Sequence, residues 1–255
     1  MRTCAVINVH TTAIRAGYVS STRLYLRTRQ STSGRIARFG RVLKERKVND
    51  MGIPVLIIGE SGSGKSASMR NFTADEVGIF NVAGKPLPFR NQLPKIDKAS
   101  YAMITDRLRK ASKKIYVIDD SQYLLCFEMF NKVNETGYKK FTDMAINFYN
   151  LIQTVINDTP ADCIVYFLHH TETTADGKVK AKTIGKMLDE KLTVEGLFSI
   201  VLICQNDGIS HKFITQSDGY TTAKSPMEMF PMEIDNDLKM VDETIREYYN
   251  LKGDK

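Results

Sequence analysis

Eight consecutive residues, 59–66 (GESGSGKS), concentrate the chemistry of this sequence. They satisfy G-x-x-x-x-G-K-[ST] at every fixed position. Gly59, Gly62 and Gly64 let the backbone turn sharply, so that N–H groups along Glu60, Ser61, Ser63 and onward to Ala67 can face inward around a phosphate chain. A helix opening after the loop adds the positive end of its dipole. Lys65 is the residue type that reaches the β- and γ-phosphates, and the Ser66 hydroxyl is a hard oxygen ligand for Mg²⁺. The expected cofactors are therefore ATP and Mg²⁺. A guanine-reading Asn-Lys-x-Asp run is missing from the sequence, which argues against GTP.

A second group completes that chemistry. The apolar run 115–118 ends in Asp119 and Asp120, about fifty residues beyond the loop. A strand there would deliver Asp119 to its tip as the acid that holds Mg²⁺, through water. Hydrolysis also needs a group that orients or deprotonates the attacking water. Asp120 is the first candidate and Glu172 the second; the plainer alternative for either is a solvated loop acid. His169, His170 and Thr171 stand where a polar group could sense the γ-phosphate. On a strand the two adjacent histidines point to opposite faces and cannot chelate one ion as a simple pair. Arg107, Arg109, Lys186 and Lys191 are candidates for a charge donated across a subunit interface, though each reads more readily as an ordinary exposed cation.

The elements that must position these groups follow from periodicity and punctuation. Residues 53–58 are a short β-branched apolar run, read as a buried strand before the loop, and 65–72 should open a helix. Strands are expected at 77–82, 115–118, 163–168 and 199–204. Helices are expected at 101–111 and 138–157, the latter with Phe141, Met144, Ala145, Phe148, Leu151, Ile152, Val155 and Ile156 at helical spacing. Residues 84–98, with three prolines, and 169–183 read as loops, and 183–190 as a short helix. The Asn206, Asp207, Gly208 turn should pair 199–204 with 211–215 as a hairpin. A loop should run on to Pro231, with Asn236 capping a final helix through Tyr249. Strand, loop and helix in repetition predict an α/β fold: a mainly parallel sheet with helices on both faces, closed by a C-terminal hairpin and helix.

Charge is unevenly spread. The net +7 divides into +9 within residues 1–50 and −2 over the rest, so a protein-wide field for nucleic acid is not supported. Residues 1–50 read as a basic extension outside the core: a disordered arm, a transit-like leader, or sequence preceding a start at Met51, with a short basic helix conceivable at 34–48. The domain proper is expected over 51–255. Of four cysteines, none forms a Cys-x-x-Cys pair, which reads as buried thiols in a reducing, cytoplasmic setting. No apolar run reaches the roughly 18–20 residues that span a bilayer.

The series GESGSGKS, YVIDDSQYL, YFLHHTE, TIGKMLDEK-x₅-GLFSIVL and AKSPMEMF resembles phage-encoded ATP-binding proteins of the AAA/RecA-like group, relatives of RecA-like single-strand annealing ATPases. The resemblance covers about residues 51–250. It implies a three-layer RecA-like P-loop core and Mg²⁺–ATP binding at 59–66 and Asp119. It further implies a role in phage recombination, repair or replication, with single-stranded DNA, phage replication or recombination proteins, and further copies of the chain as partners. The sequence departs from RecA in lacking a Glu at the end of strand 77–82. For DNA, the loop 173–186 offers Lys178, Lys180, Lys182 and Lys186, and the loop 216–231 offers Lys224, Tyr220 and Phe230. Two alternatives compete with a DNA-dependent ATPase: a non-hydrolysing ATP switch or loader, and a small-molecule or nucleotide kinase. The kinase reading is weakened by a lysine-rich segment 173–186 without arginine.

Overall fold

The computed structural model describes residues 51–251. The expectations for residues 1–50, Cys4 included, lie outside the described residues. Elements run in the order β1 (Ile53–Gly59), β2 (Val77–Asn81), β3 (Lys95–Asp97), α1 (Tyr101–Arg109), β4 (Ile115–Asp119), α2 (Gln122–Asn131), α3 (Lys139–Asp158), β5 (Ile164–Thr173), β6 (Val179–Ala181), β7 (Ile200–Asn206), β8 (His211–Ile214), β9 (Glu233–Asp235) and α4 (Leu238–Tyr248). The sheet has nine strands in the order β3-β2-β4-β5-β1-β7-β8-β9, with β6 added to the end of β5. From β3 through β7 every neighbour is parallel; β8 and β9 close the far edge antiparallel.

Alternation along the central strands sorts side chains onto two faces, and both are covered. Leu56, Ile58, Ile118, Val165 and Phe167 face one core with Leu108 of α1, Leu125 of α2, and Phe148 and Ile152 of α3. Val55, Ile57, Val117, Tyr166 and Leu168 face the other, with Met69 and Phe72 after the glycine-rich loop and Leu238, Val241 and Ile245 of α4. These strands are therefore apolar at nearly every position instead of alternating with polar residues. Helix α3 buries the stripe its periodicity predicts and stops where the Thr159 hydroxyl turns back to the Val155 carbonyl, just before Pro160. Helix α4 is tied to the sheet by a buried ionic knot. Tyr166 Oη donates to Asp242 Oδ1 (2.9 Å), and Arg246 Nε donates to Asp242 Oδ2 (2.6 Å) while its Nη1 and Nη2 cap the carbonyls of Asp162 and Lys114.

Several expectations need correction. Residues 65–72 do not form an α-helix but a six-residue 3-10 turn, Ser66–Asn71. Ser68 Oγ bonds the Lys65 carbonyl, and Arg70 and Asn71 reach across to Asn236 and Asp237, so side chains compete with continued winding. Residues 169–183 are not a loop, because β5 runs on to Thr173 and turns at Gly177 (φ +82°) into β6. The helix expected at 183–190 lies at Met187–Leu192 as a π-helical turn, followed by a 3-10 turn. Asp237, not Asn236, caps α4, accepting from the Lys239 and Met240 backbones. Phe230, offered as a stacking residue, is buried in the core.

Candidate functional site

The glycine-rich loop leaves β1 at its carboxyl end, flanked by β5 on one side and β7 on the other. Gly62 (φ +81°) and Gly64 (φ +101°) occupy left-handed backbone, and a Cβ on Gly64 would stand 2.8 Å from the His211 ring. The loop is held from behind through one carbonyl. Ser63 O accepts from His211 Nδ1 (2.8 Å) and from the Cys204 thiol (3.0 Å), whose proton is secure because burial pushes its pKa up to about 11. His211 must therefore carry its proton on Nδ1. With that carbonyl anchored outward, the loop's backbone shape is set by β7 and β8.

Lys65 is buried, its ammonium donating to the carbonyls of Gly59 and Glu60 at 2.7 Å each. Burial lowers its pKa, opposed by Cys204, Asp120 and Asp119. Ser66 Oγ donates to Asp119 Oδ1 at 2.7 Å, joining the end of the loop to the tip of β4. Asp119 is buried, and loss of water there pushes its carboxyl up to about 6 despite the Ser66 hydrogen bond. A buried carboxylate beside a serine hydroxyl is the donor pair a Mg²⁺ ion takes when phosphates supply further oxygens. Among the described residues no three His, Cys, Asp or Glu side chains converge as a metal cage, so any metal here would depend on oxygens from its ligand. The residues present thus fit Mg²⁺–nucleotide: two hard protein oxygens, a lysine, and a loop with two left-handed glycines. The helix dipole contributes less than expected, since the segment after the loop is so short.

Asp120 continues the β4 tip in left-handed backbone (φ +59°). Oδ2 pairs with Lys85 Nζ at 2.6 Å, and Oδ1 lies 3.3 Å from His170 Nε2. Burial raises the Asp120 pKa, but His170 and Lys85 outweigh it and hold the carboxyl below its ordinary range. A carboxylate so stabilised is a weakened proton acceptor. Lys85 is a residue the sequence reading passed over. Buried Asn81 shapes its loop: Asn81 Nδ2 donates to Lys85 O (2.6 Å) and Asn81 Oδ1 accepts from Gly84 N (3.0 Å). An Asn ending the strand beside the acid strand, with Gly84 and Lys85 just after, was the available signal.

The two histidines diverge as the strand period requires. His170 faces the loop side, where Tyr123 stands edge-on at 5.5 Å. His169 is fully buried on the opposite face, bonded to Ser121 Oγ (2.9 Å) and to the Lys182 carbonyl (2.8 Å). A carbonyl can only accept, so Nε2 carries the proton, and Nδ1 shares the Ser121 hydroxyl with the Leu168 carbonyl (3.1 Å); burial lowers the pKa to about 4 and keeps the ring neutral. Glu172 lies on the β5–β6 hairpin opposite Lys180, 3.2 Å from its ammonium. Thr171 lines a cleft of about 330 Å³ together with Gly59–Ser63, Cys204–Asp207 and Lys212. Arg109 pairs with Asp158, and Lys186 approaches Glu190. The segments 173–186 and 216–231 are zipped together and to β7 by Val179 N→Tyr220 O and by reciprocal bonds between Val201 and Lys224.

No known family matches the chain, and no curated protein matches it. Among the described residues no helix is long and apolar enough to cross a membrane.

Proposed function

We propose that this chain binds Mg²⁺–ATP on residues 59–66 and Asp119 and hydrolyses it. One observation carries the reading: Ser66 Oγ and Asp119 Oδ1, fifty-three residues apart in sequence, meet at 2.7 Å beside buried Lys65. In this reading Lys65 would exchange its two carbonyl partners for phosphate oxygens, and Ser66 and Asp119 would hold the metal, which would supply charge neutralisation at the β- and γ-phosphates. The sheet order supports placement in the RecA-like division of P-loop proteins, since β5 intervenes between the loop strand β1 and the acid strand β4. Membership of the phage AAA/RecA-like group, action on single-stranded DNA during recombination, repair or replication, and assembly of several copies complete the proposal. Lys178, Lys182 and Lys224, near exposed Tyr220 on the zipped segments, are the side chains offered to a DNA backbone and its bases.

A second reading, a non-hydrolysing ATP switch or loader, is favoured by the clasp of Lys85 and His170 on Asp120. The deciding experiment measures ATP hydrolysis with and without single-stranded DNA, beside Lys65→Ala. Turnover that rises with DNA and disappears in the variant supports the ATPase. Tight ATP binding without turnover under either condition rejects it in favour of the switch.

A further inference from the structure

A second cavity, of about 580 Å³, lies in the helical layer where α1, α2 and α3 meet the segment after β2. It shares no lining residue with the glycine-rich loop or its cleft. Its volume falls within the roughly 300–1,000 Å³ range of small-molecule sites. Val82, Ala99, Leu124 and Phe127 give it apolar walls, with the Phe127 ring partly exposed at its mouth.

Six of its lining residues are polar, Lys98, Ser100, Tyr101, Glu128, Asn131 and Asn147, and two of these carry an orphaned atom. Tyr101 Oη and Glu128 Oε2 are both buried, and neither has a hydrogen-bond partner. The Glu128 carboxylate is already fixed in place through its other oxygen, which accepts from Asn147 Nδ2 (2.8 Å) and Lys132 Nζ (2.9 Å). Oε2 is thus an oriented acceptor with nothing to accept. Burial holds the Tyr101 phenol protonated, far above its ordinary range, so it remains an O–H with nothing to receive it. Buried polar groups are paired almost without exception, and two orphans in one cavity point to a ligand that pairs both.

We propose that this cavity binds a planar heterocycle that presents an N–H donor beside an acceptor, the edge of a nucleobase. Glu128 Oε2 takes the N–H, Tyr101 Oη donates to the adjacent acceptor, and the aliphatic walls with Phe127 cover the ring faces. The base can arrive as a free nucleoside or as an unstacked base of a single strand. The site is independent of the ATP reading, since it uses none of the loop residues. It also adjoins the catalytic side of the sheet: Val82, in its wall, donates its N–H to the Asp119 carbonyl (3.2 Å) and precedes Lys85 by three residues.

The test is calorimetric titration of the full chain with thymidine, N3-methylthymidine and a short oligothymidylate, in wild type, Tyr101→Phe, Glu128→Gln and Lys65→Ala. The expected result is thymidine binding that N3-methylation removes, that Tyr101→Phe and Glu128→Gln each weaken about tenfold, and that Lys65→Ala leaves unchanged. Binding of the oligothymidylate alone, with the same sensitivity to both variants, assigns the base to a strand. Absence of binding by either probe overturns the proposal. So does binding that both variants leave intact, or binding lost only in Lys65→Ala. Should Glu128→Gln lose its fold through release of Lys132, Tyr101→Phe and N3-methylthymidine carry the test without it.

Discussion

His169 offers a quantitative test of how the site is built. Its imidazole is sealed between Ser121, next to Asp120, and the Lys182 carbonyl beyond β6. Burial, aided by neighbouring His170 and Lys65 and opposed by the Lys182 hydrogen bond, brings its pKa from 6.5 to about 4. The folded protein resists the proton that the unfolded chain accepts. Stability from the neutral ring is therefore complete above pH 6.5 and is lost as pH falls toward 4. At about 1.36 kcal/mol per pH unit the full loss is about 3 kcal/mol, of which about 2 kcal/mol is gone by about pH 5. His169→Gln retains a donor toward Lys182 O but takes no proton. Urea unfolding should show the variant about 1 kcal/mol less stable than wild type near pH 7.5, for the lost Ser121 contact. That gap should close and reverse by about pH 5. A gap constant across this range would refute the buried neutral ring, and would return His169 to consideration as a solvent-accessible sensor of phosphate.

Four further outcomes follow from the geometry. Gly64→Ala forces φ +101° on a residue with a Cβ 2.8 Å from His211; it should cost about 1–3 kcal/mol in thermal unfolding and weaken ATP binding. Asp119→Asn can still accept from Ser66, so the fold should survive while the Mg²⁺ dependence of ATP affinity, read by titration with and without the metal, falls at least about tenfold. Asp120→Asn should slow single-turnover hydrolysis by about a hundredfold, with ATP affinity within about threefold, if Asp120 positions the attacking water; an unchanged rate would eliminate it. Arg246→Met strands the Asp242 carboxylate in the core and should cost about 3–5 kcal/mol, most of it recovered by adding Asp242→Asn.

What the sequence disclosed was whatever short-range pattern controls. The strand 53–58, the loop after it, the α3 stripe and the 206–208 turn each depend on spacing within one element, and each lies where expected. The opposite aim of His169 and His170 followed from the strand period alone. Errors arose where distant residues decide. Ser66–Asn71 could not be known as a 3-10 turn without Asn236 and Asp237, more than 160 residues away, drawing off Arg70 and Asn71. Helix α2 escaped notice because QYLLCFEMFN is apolar nearly all round and shows no face. The motifs announced Ser66 and Asp119 as residues sharing one metal and not as a bonded pair, and the clasp of Lys85 and His170 on Asp120 depends on a left-handed φ that no local pattern announces.

The position of β1 has a consequence for the order in which the protein can be made. It is the first strand of the described domain to be synthesised, yet both its neighbours, β5 and β7, come more than a hundred residues later. The carbonyl that anchors the loop waits longer still, for Cys204 and His211. On the ribosome β2 and β4 can pair early, while β1 remains an apolar segment without a ladder until β5 emerges. A nascent chain therefore carries the complete GESGSGKS motif long before its loop is anchored, and on the proposed ATP-binding function nucleotide capture should begin only once His211 has cleared the exit tunnel.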